Sequence, residues 1–260
     1  MRRLARGFSG VSGIYVQSLT GGPGAAWNAK ARFPAASTLK VAIAVTVLSA
    51  SSGVPAPGSS LDDLLRQMIT YSDNASANAL EVWLGGSTSG GGARVDALLR
   101  TIGLHDTIMY GGYELGTYAR SIPLRVDEQP SFGVGKYTTA WDLARLFRAI
   151  WLASGGQGPL RTTHSGVTSA DARYLLWLLD DVRDTPKLDR VVGRLGGVAV
   201  LHKAGWIDSA RHDVGLVFWH GGVFVAAVMT WSPNGIGTSA DVLAGRCASV
   251  ALERFRHLHG

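Results

Sequence analysis

The chain has 260 residues, 46% of them hydrophobic and 17% charged, enough for one large domain or two small ones with a substantial core, and this composition excludes a disordered chain. The formal charge is +6, with 25 Lys and Arg against 19 Asp and Glu; the arginines are scattered and no basic block alternates with aromatics, so a solvated basic surface is expected and nucleic acid is not an expected partner. The apolar run over residues 41–48, broken only by Thr46, falls far short of the roughly 20 needed to cross a bilayer, so no membrane partner is expected.

The opening "MRRLARGFSG" is basic like a secretory leader but lacks the apolar stretch that would follow. Either a cytoplasmic protein or the mature form of an exported one is expected. "VSGIYVQSL" (11–19) and "AAWNAKARF" (25–33) read as two strands joined by the turn residues "TGGPG". Helical periodicity then predicts helices over 37–51, 61–69, 75–84, 93–102, 140–153 and 170–182. Ser60 and Thr139 stand where caps belong, and Gly85 and Gly103 where helices stop. "GGSTSGGGA" (85–93) is expected to be a flexible surface loop. Residues 198–207, 213–220 and 223–231 read as three strands, and 239–258 as a closing helix. The single Cys247 lies in an apolar helical pattern and is expected to be a buried, inert thiol.

Two strands at the front, three at the back and helices between predict an α+β fold. One antiparallel five-stranded sheet is assembled from both chain ends with flanking helices, and the middle forms an all-helical lobe. The expected division is a discontinuous sheet domain, 1–35 with 195–260, and a helical domain, 36–194. The natural site is the cleft between them.

Three short strings carry candidate chemistry. Ser37 and Lys40 are three apart and share a helix face, so a lysine with its pKa lowered by the apolar run behind it is placed to take the serine's proton. Read alone, the pair is common and reads as an N-cap serine with a snorkelling lysine. Ser72-Asp73-Asn74 leads into a helix and reads, by itself, as a capping segment. Lys203-Ala204-Gly205 lies in a predicted strand, where the glycine admits a close approach.

In this order, Ser-x-x-Lys, Ser-Asp-Asn and Lys-x-Gly resemble the motif set of class A-type serine β-lactamases and their penicillin-recognising serine hydrolase relatives. The resemblance covers nearly the whole chain, including "TTAWDLARLF" (138–147). It implies that Ser37 is the acyl-forming nucleophile and Lys40 its proton acceptor or activator. Ser72 would relay a proton to the leaving nitrogen beside Lys203, which also attracts a substrate carboxylate. Asn74 would bind the substrate's side-chain amide. Gly205 lets the strand approach, and the backbone N–H groups of Ser37 and Trp206 would form the oxyanion hole.

The pattern is departed from in two places. Ala204 replaces a hydroxyl residue, for which Ser209 or Arg211 would compensate. No Glu-x-x-Leu-Asn string supplies the deacylating base. Of Glu81, Glu114 and Glu128, Glu114 in "MYGGYELGTYARS" is the best candidate; Glu81 is expected to be solvated and Glu128 to lie in an exposed loop. The spacing also differs, with 35 residues from Ser37 to Ser72 and 131 from there to Lys203.

The leading expectation is hydrolysis of a β-lactam amide through an acyl-serine. The alternatives are a D-Ala-D-Ala peptidase or esterase that β-lactams acylate, and a catalytically silent binding module. The expected partner is a small-molecule β-lactam or related acyl compound, with the protein a monomer. The histidines show no His-Glu-x-x-His spacing and Gly90–Gly92 no phosphate-loop context, so no metal or other cofactor is expected.

Overall fold

Alternating side chains and helix caps set the order of elements in the computed structural model, which describes residues 1–51, 53–114, 130, 135–163, 165–184 and 186–259. A short helix α1 (Arg2–Arg6) precedes strands β1 (Val11–Ser18) and β2 (Gly24–Trp27). The strand expected over 25–33 ends at Trp27, because Asn28 takes a left-handed φ of 46° that no strand continues. Phe33–Pro34 form a separate strand β3, followed by a 3-10 turn (Ala36–Leu39) and helices α2 (Lys40–Ala50), α3 (Ser60–Thr70), α4 (Asn74–Gly85) and α5 (Thr88–Thr101). Strand β4 (Tyr137–Thr138) pairs with β3. Helices α6 (Ala140–Ser154), α7 (Pro159–Thr162), α8 (Ser169–Asp180) and α9 (Asp189–Val192) lead to strands β5 (Val198–Ile207), β6 (Ala210–Trp219) and β7 (Gly222–Trp231), and α10 (Ser239–His259) closes the chain.

The five long strands form one antiparallel sheet in the order β2-β1-β7-β6-β5. The seam joining the chain ends runs from Val11 opposite Trp231 to Ser18 opposite Phe224. Strand β7 shows why the sheet is covered twice. Phe224, Ala226 and Val228 face Leu243, Cys247, Leu252 and Phe255 of α10, while Val223, Val225, Ala227 and Met229 join the core that includes α6. Cys247 is fully buried there, and burial pushes its thiol up to about 12.

Helix α2 is apolar all round, with every residue from Lys40 to Leu48 buried, so α3, α4, α5 and α8 pack about it. Caps set the ends: Ser59, not the expected Ser60, accepts from Asp62 N, and Thr139 accepts from Asp142 N, each worth about 1 kcal/mol. The stretch 85–93 is not a surface loop. Ser87 caps α5, whose first turns are built from it, and Gly91 and Gly92 are buried. A Cβ on Gly91 would fall 2.2 Å from the Glu81 carbonyl oxygen, and one on Gly85 would fall 2.1 Å from the Gly90 carbonyl carbon. Glycine is there because the α4 and α5 backbones touch.

Candidate active site

Ser37 sits on the 3-10 turn, not on the first turn of a long α-helix as the periodicity predicts. Ala36 before it is held at φ 47°, a conformation unfavourable for a residue with a Cβ. The turn is tied by Ala35 N to Lys136 O at 2.9 Å and by Thr38 Oγ1 to Ala35 O at 2.6 Å. Lys40 opens α2 one 3-10 turn later and is fully buried. Its ammonium donates to the Ser72 carbonyl, to Ser72 Oγ at 3.3 Å and to Asn74 Oδ1 at 2.6 Å. None of these bonds goes to Ser37.

Ser72 is likewise strained, with φ 60°, ahead of Asp73, which caps α4 through Ser76 N at 2.6 Å. Its hydroxyl oxygen lies 2.9 Å from Lys203 Nζ, bringing together residues 131 apart in the chain. One serine hydroxyl therefore stands between two buried amines. Burial, and then the neighbouring Lys203 charge, brings the Lys40 pKa down to about 7. Burial brings Lys203 down to about 8, opposed by Asp184 and Asp213. Asp213 is itself clasped by His202 Nδ1 and Leu188 N, each at 2.9 Å. Asp189, His202 and Asp213 form the one group of potential metal ligands among the described residues, but their atoms already bond one another and the backbone.

Strand β5 passes close beneath the Ser37 turn. A Cβ on Gly205 would fall 2.7 Å from Ser37 N and 2.8 Å from Thr38 N, so only glycine leaves the two backbones this near. Beyond it Trp206 is exposed, and with Ser37, Ser72, Asn74, Tyr113 and Glu114 it lines a cleft of about 640 Å³. Ala204 is fully buried. Arg211 is bonded twice to Asp241, at 3.1 and 3.0 Å, so its guanidinium is already engaged by a carboxylate, and Ser209 is half-buried.

Glu114 reaches the cleft as an exposed side chain at φ 58°. Glu128 lies outside the described residues. Glu81 is fully buried, not solvated; its two oxygens find no hydrogen-bond partner among the described residues, and burial raises its pKa to about 8, against the pull of Lys136. The face of α4 that carries it packs inward on the segment before Glu114.

That segment holds what the sequence did not reveal. Asn78 accepts from Tyr113 N at 2.6 Å and donates to Tyr113 O at 3.0 Å, clamping the backbone next to Glu114. The Tyr113 ring carries Lys40 Nζ at 4.6 Å and Lys136 Nζ at 4.4 Å from its centroid. Lys136 also donates to Gly112 O at 2.7 Å, and its hydroxyl neighbour Tyr113 donates to Ala36 O at 3.4 Å. Only the position of Asn78, one helical turn after Asn74, hinted at this in the sequence.

A serine on a strained turn, a second serine hydroxyl between two buried amines, and a cleft beside the edge strand of a five-stranded antiparallel sheet define a serine hydrolase of the class A β-lactamase type. A model of the β-lactamase enzyme family matches residues 1–53 and 52–255, and the chain belongs to that family. Solved structures share the fold. The β-lactamase from Sphaerobacter thermophilus is 21% identical with a TM-score of 0.73, over 96% of this chain and 93% of that one. The class A β-lactamase from Mycobacterium abscessus is 18% identical with a TM-score of 0.73, over 98% and 97%. PBP-A is 21% identical with a TM-score of 0.71, over 97% and 94%. No curated protein sequence matches significantly.

Proposed function

We propose that the chain hydrolyses a β-lactam amide through a covalent acyl-serine on Ser37, in a cleft between a sheet domain (1–35 with 195–260) and a helical domain (36–194). Supporting this reading above all is the Ser72 hydroxyl held between Lys40 and Lys203 in the cleft that Ser37 lines. A Lys40 amine with a pKa of about 7 is partly neutral at neutral pH and able to accept a proton as Ser37 Oγ attacks the carbonyl carbon. The Ser37–carbonyl bond forms, and the C–N bond breaks as Ser72 passes a proton to the leaving nitrogen. Lys203 draws the substrate carboxylate, and Asn74 bonds the side-chain amide. Gly205 lets β5 approach the Ser37 turn closely, and the Ser37 and Trp206 backbone amides serve as oxyanion donors, worth about 2.7–4 kcal/mol each in the transition state. Water activated by Glu114 then releases the acid.

A second reading has one observation in its favour. The Tyr113 ring lies over the Lys40 ammonium, whereas Glu114 next to it is exposed. This suits a peptidase or esterase that β-lactams acylate and that releases the acyl group slowly. The deciding experiment is intact-protein mass spectrometry with a chromogenic cephalosporin. Turnover with a transient adduct, abolished in Ser37→Ala, supports the lactamase; a long-lived adduct supports the second reading; an adduct retained in Ser37→Ala removes Ser37 as nucleophile.

A further inference from the structure

Helices α1, α9 and α10 cover one face of the sheet, and none of their residues lines the cleft. Their outer side is unusually basic. Helix α1 exposes Arg2, Arg3 and Arg6; Arg190 and Arg194 follow on α9 and just beyond it; α10 adds Arg246, Arg254 and Arg256. Against these eight cations stand Asp189, Asp241 and Glu253, which leaves +5 on this layer out of +6 for the whole chain. Asp241 is moreover already neutralised by Arg211. All eight exposed cations are arginines.

Aliphatic side chains stand among the arginines. Val191 and Leu195 are each 41% exposed, Val250 43% and Leu258 45%, and these are four of the eleven large hydrophobic residues exposed among the described residues. The exposed aromatics, Tyr71, Trp83, Trp177 and Trp206, all lie elsewhere. Two apolar grooves flank α10. One of about 580 Å³ is lined by Leu4, Phe8, Val242 and Leu243 with Arg3 and Arg246, and one of about 290 Å³ by Val16, Pro23, Val250 and Phe255 with Arg254.

We propose that this face docks the protein on a membrane surface bearing anionic phospholipid headgroups. The guanidinium fork matches phosphate geometry, and clustered basic residues are drawn to an anionic leaflet. Aliphatic side chains between the cations enter the headgroup–acyl boundary, as on interfacial helices. Each groove pairs an apolar lining with an arginine, the chemistry of an acyl chain beneath a phosphate. Nucleic acid would use the charge but not the aliphatic residues, and this face exposes no phenylalanine, tyrosine or tryptophan for a base to stack on. The cleft stays open to solvent on a different part of the molecule.

Co-sedimentation of the full chain with phosphatidylcholine vesicles, and with vesicles of equal parts phosphatidylcholine and phosphatidylglycerol, tests this. Binding to the anionic vesicles alone is expected, falling with added salt. The double variant Arg246→Glu with Arg254→Glu should weaken it at least about tenfold. Val250→Ser with Leu258→Ser should weaken it while leaving charge and melting temperature unchanged. Three results overturn the proposal: no binding to anionic vesicles at low salt, binding indifferent to the charge reversals, or duplex DNA held as tightly as vesicles with the serine variant unaffected.

Discussion

Gly205 lies against Ser37 so closely that a methyl group on it would sit 2.7 Å from the Ser37 backbone nitrogen. Alanine there must push β5 away from the turn that carries Ser37, the proposed nucleophile, and so move the two amides proposed as oxyanion donors. Gly205→Ala is expected to lower kcat/KM for a chromogenic cephalosporin by at least about a hundredfold, the loss of one oxyanion donor. Overpacking should cost about 1–3 kcal/mol in a denaturant titration. Gly196→Ala, whose Cβ meets nothing within 4 Å, is the control. Equal activity in the two variants would show that the contact has no catalytic consequence.

Lys40 should govern the acid limb of acylation. Its pKa is lowered to about 7 by burial and then by Lys203. Below that pH the amine is protonated and cannot accept the Ser37 proton, so the acylation rate should fall as pH drops through about 7. Lys203→Ala removes a neighbouring positive charge, so the Lys40 pKa rises and the limb moves to higher pH. Stopped-flow acylation across the pH range reads the limb directly. A limb that stays put in Lys203→Ala assigns it to another group.

In the proposed reaction Glu114 governs release. If Glu114 activates the deacylating water, Glu114→Gln should retain the acylation burst and slow decay of the adduct by about 10²–10⁴-fold. Single-turnover mass spectrometry measures both phases. Unchanged decay would leave Glu114 a loop residue and favour the slowly releasing reading.

Glu81 should make stability depend on pH. Its folded pKa is raised from 4.5 to about 8 by burial. Between these values the folded state holds a proton that the unfolded chain has lost, so this residue's contribution is full below 4.5 and declines as pH rises to about 8. Glu81→Gln lacks that decline. The melting temperature of the variant relative to the parent should therefore rise from pH 5 to pH 8, by about 2–4 °C for each kcal/mol. A difference independent of pH would mean that Glu81 is paired in solution.

Much of this protein is written in local patterns. The alternation of β7, the apolar run behind Lys40 and the Thr139 cap each report the surroundings of one short segment, so the α+β sheet made from both chain ends and most of its helices could be read directly. The three strings around Ser37, Ser72 and Lys203 could be read as well, because each is contiguous and their order is informative. The glycine-rich stretch 85–93 misled because flexibility and close helix contact call for the same residue, and only the neighbouring α4 backbone distinguishes them. Glu81 misled for a similar reason: a glutamate on a mixed helix is ordinarily solvated, and its burial comes only with the packing of α4, whose backbone meets α5 at Glu81 and Gly91. The clamp of Asn78 on Tyr113, the two ammonium groups over that ring and the Ser72 hydroxyl between Lys40 and Lys203 join residues up to 131 positions apart. Such contacts leave no periodic trace in a single chain. They exist only once the sheet, α2 and α4 have packed, and packing alone desolvates the two lysines enough to shift their protons.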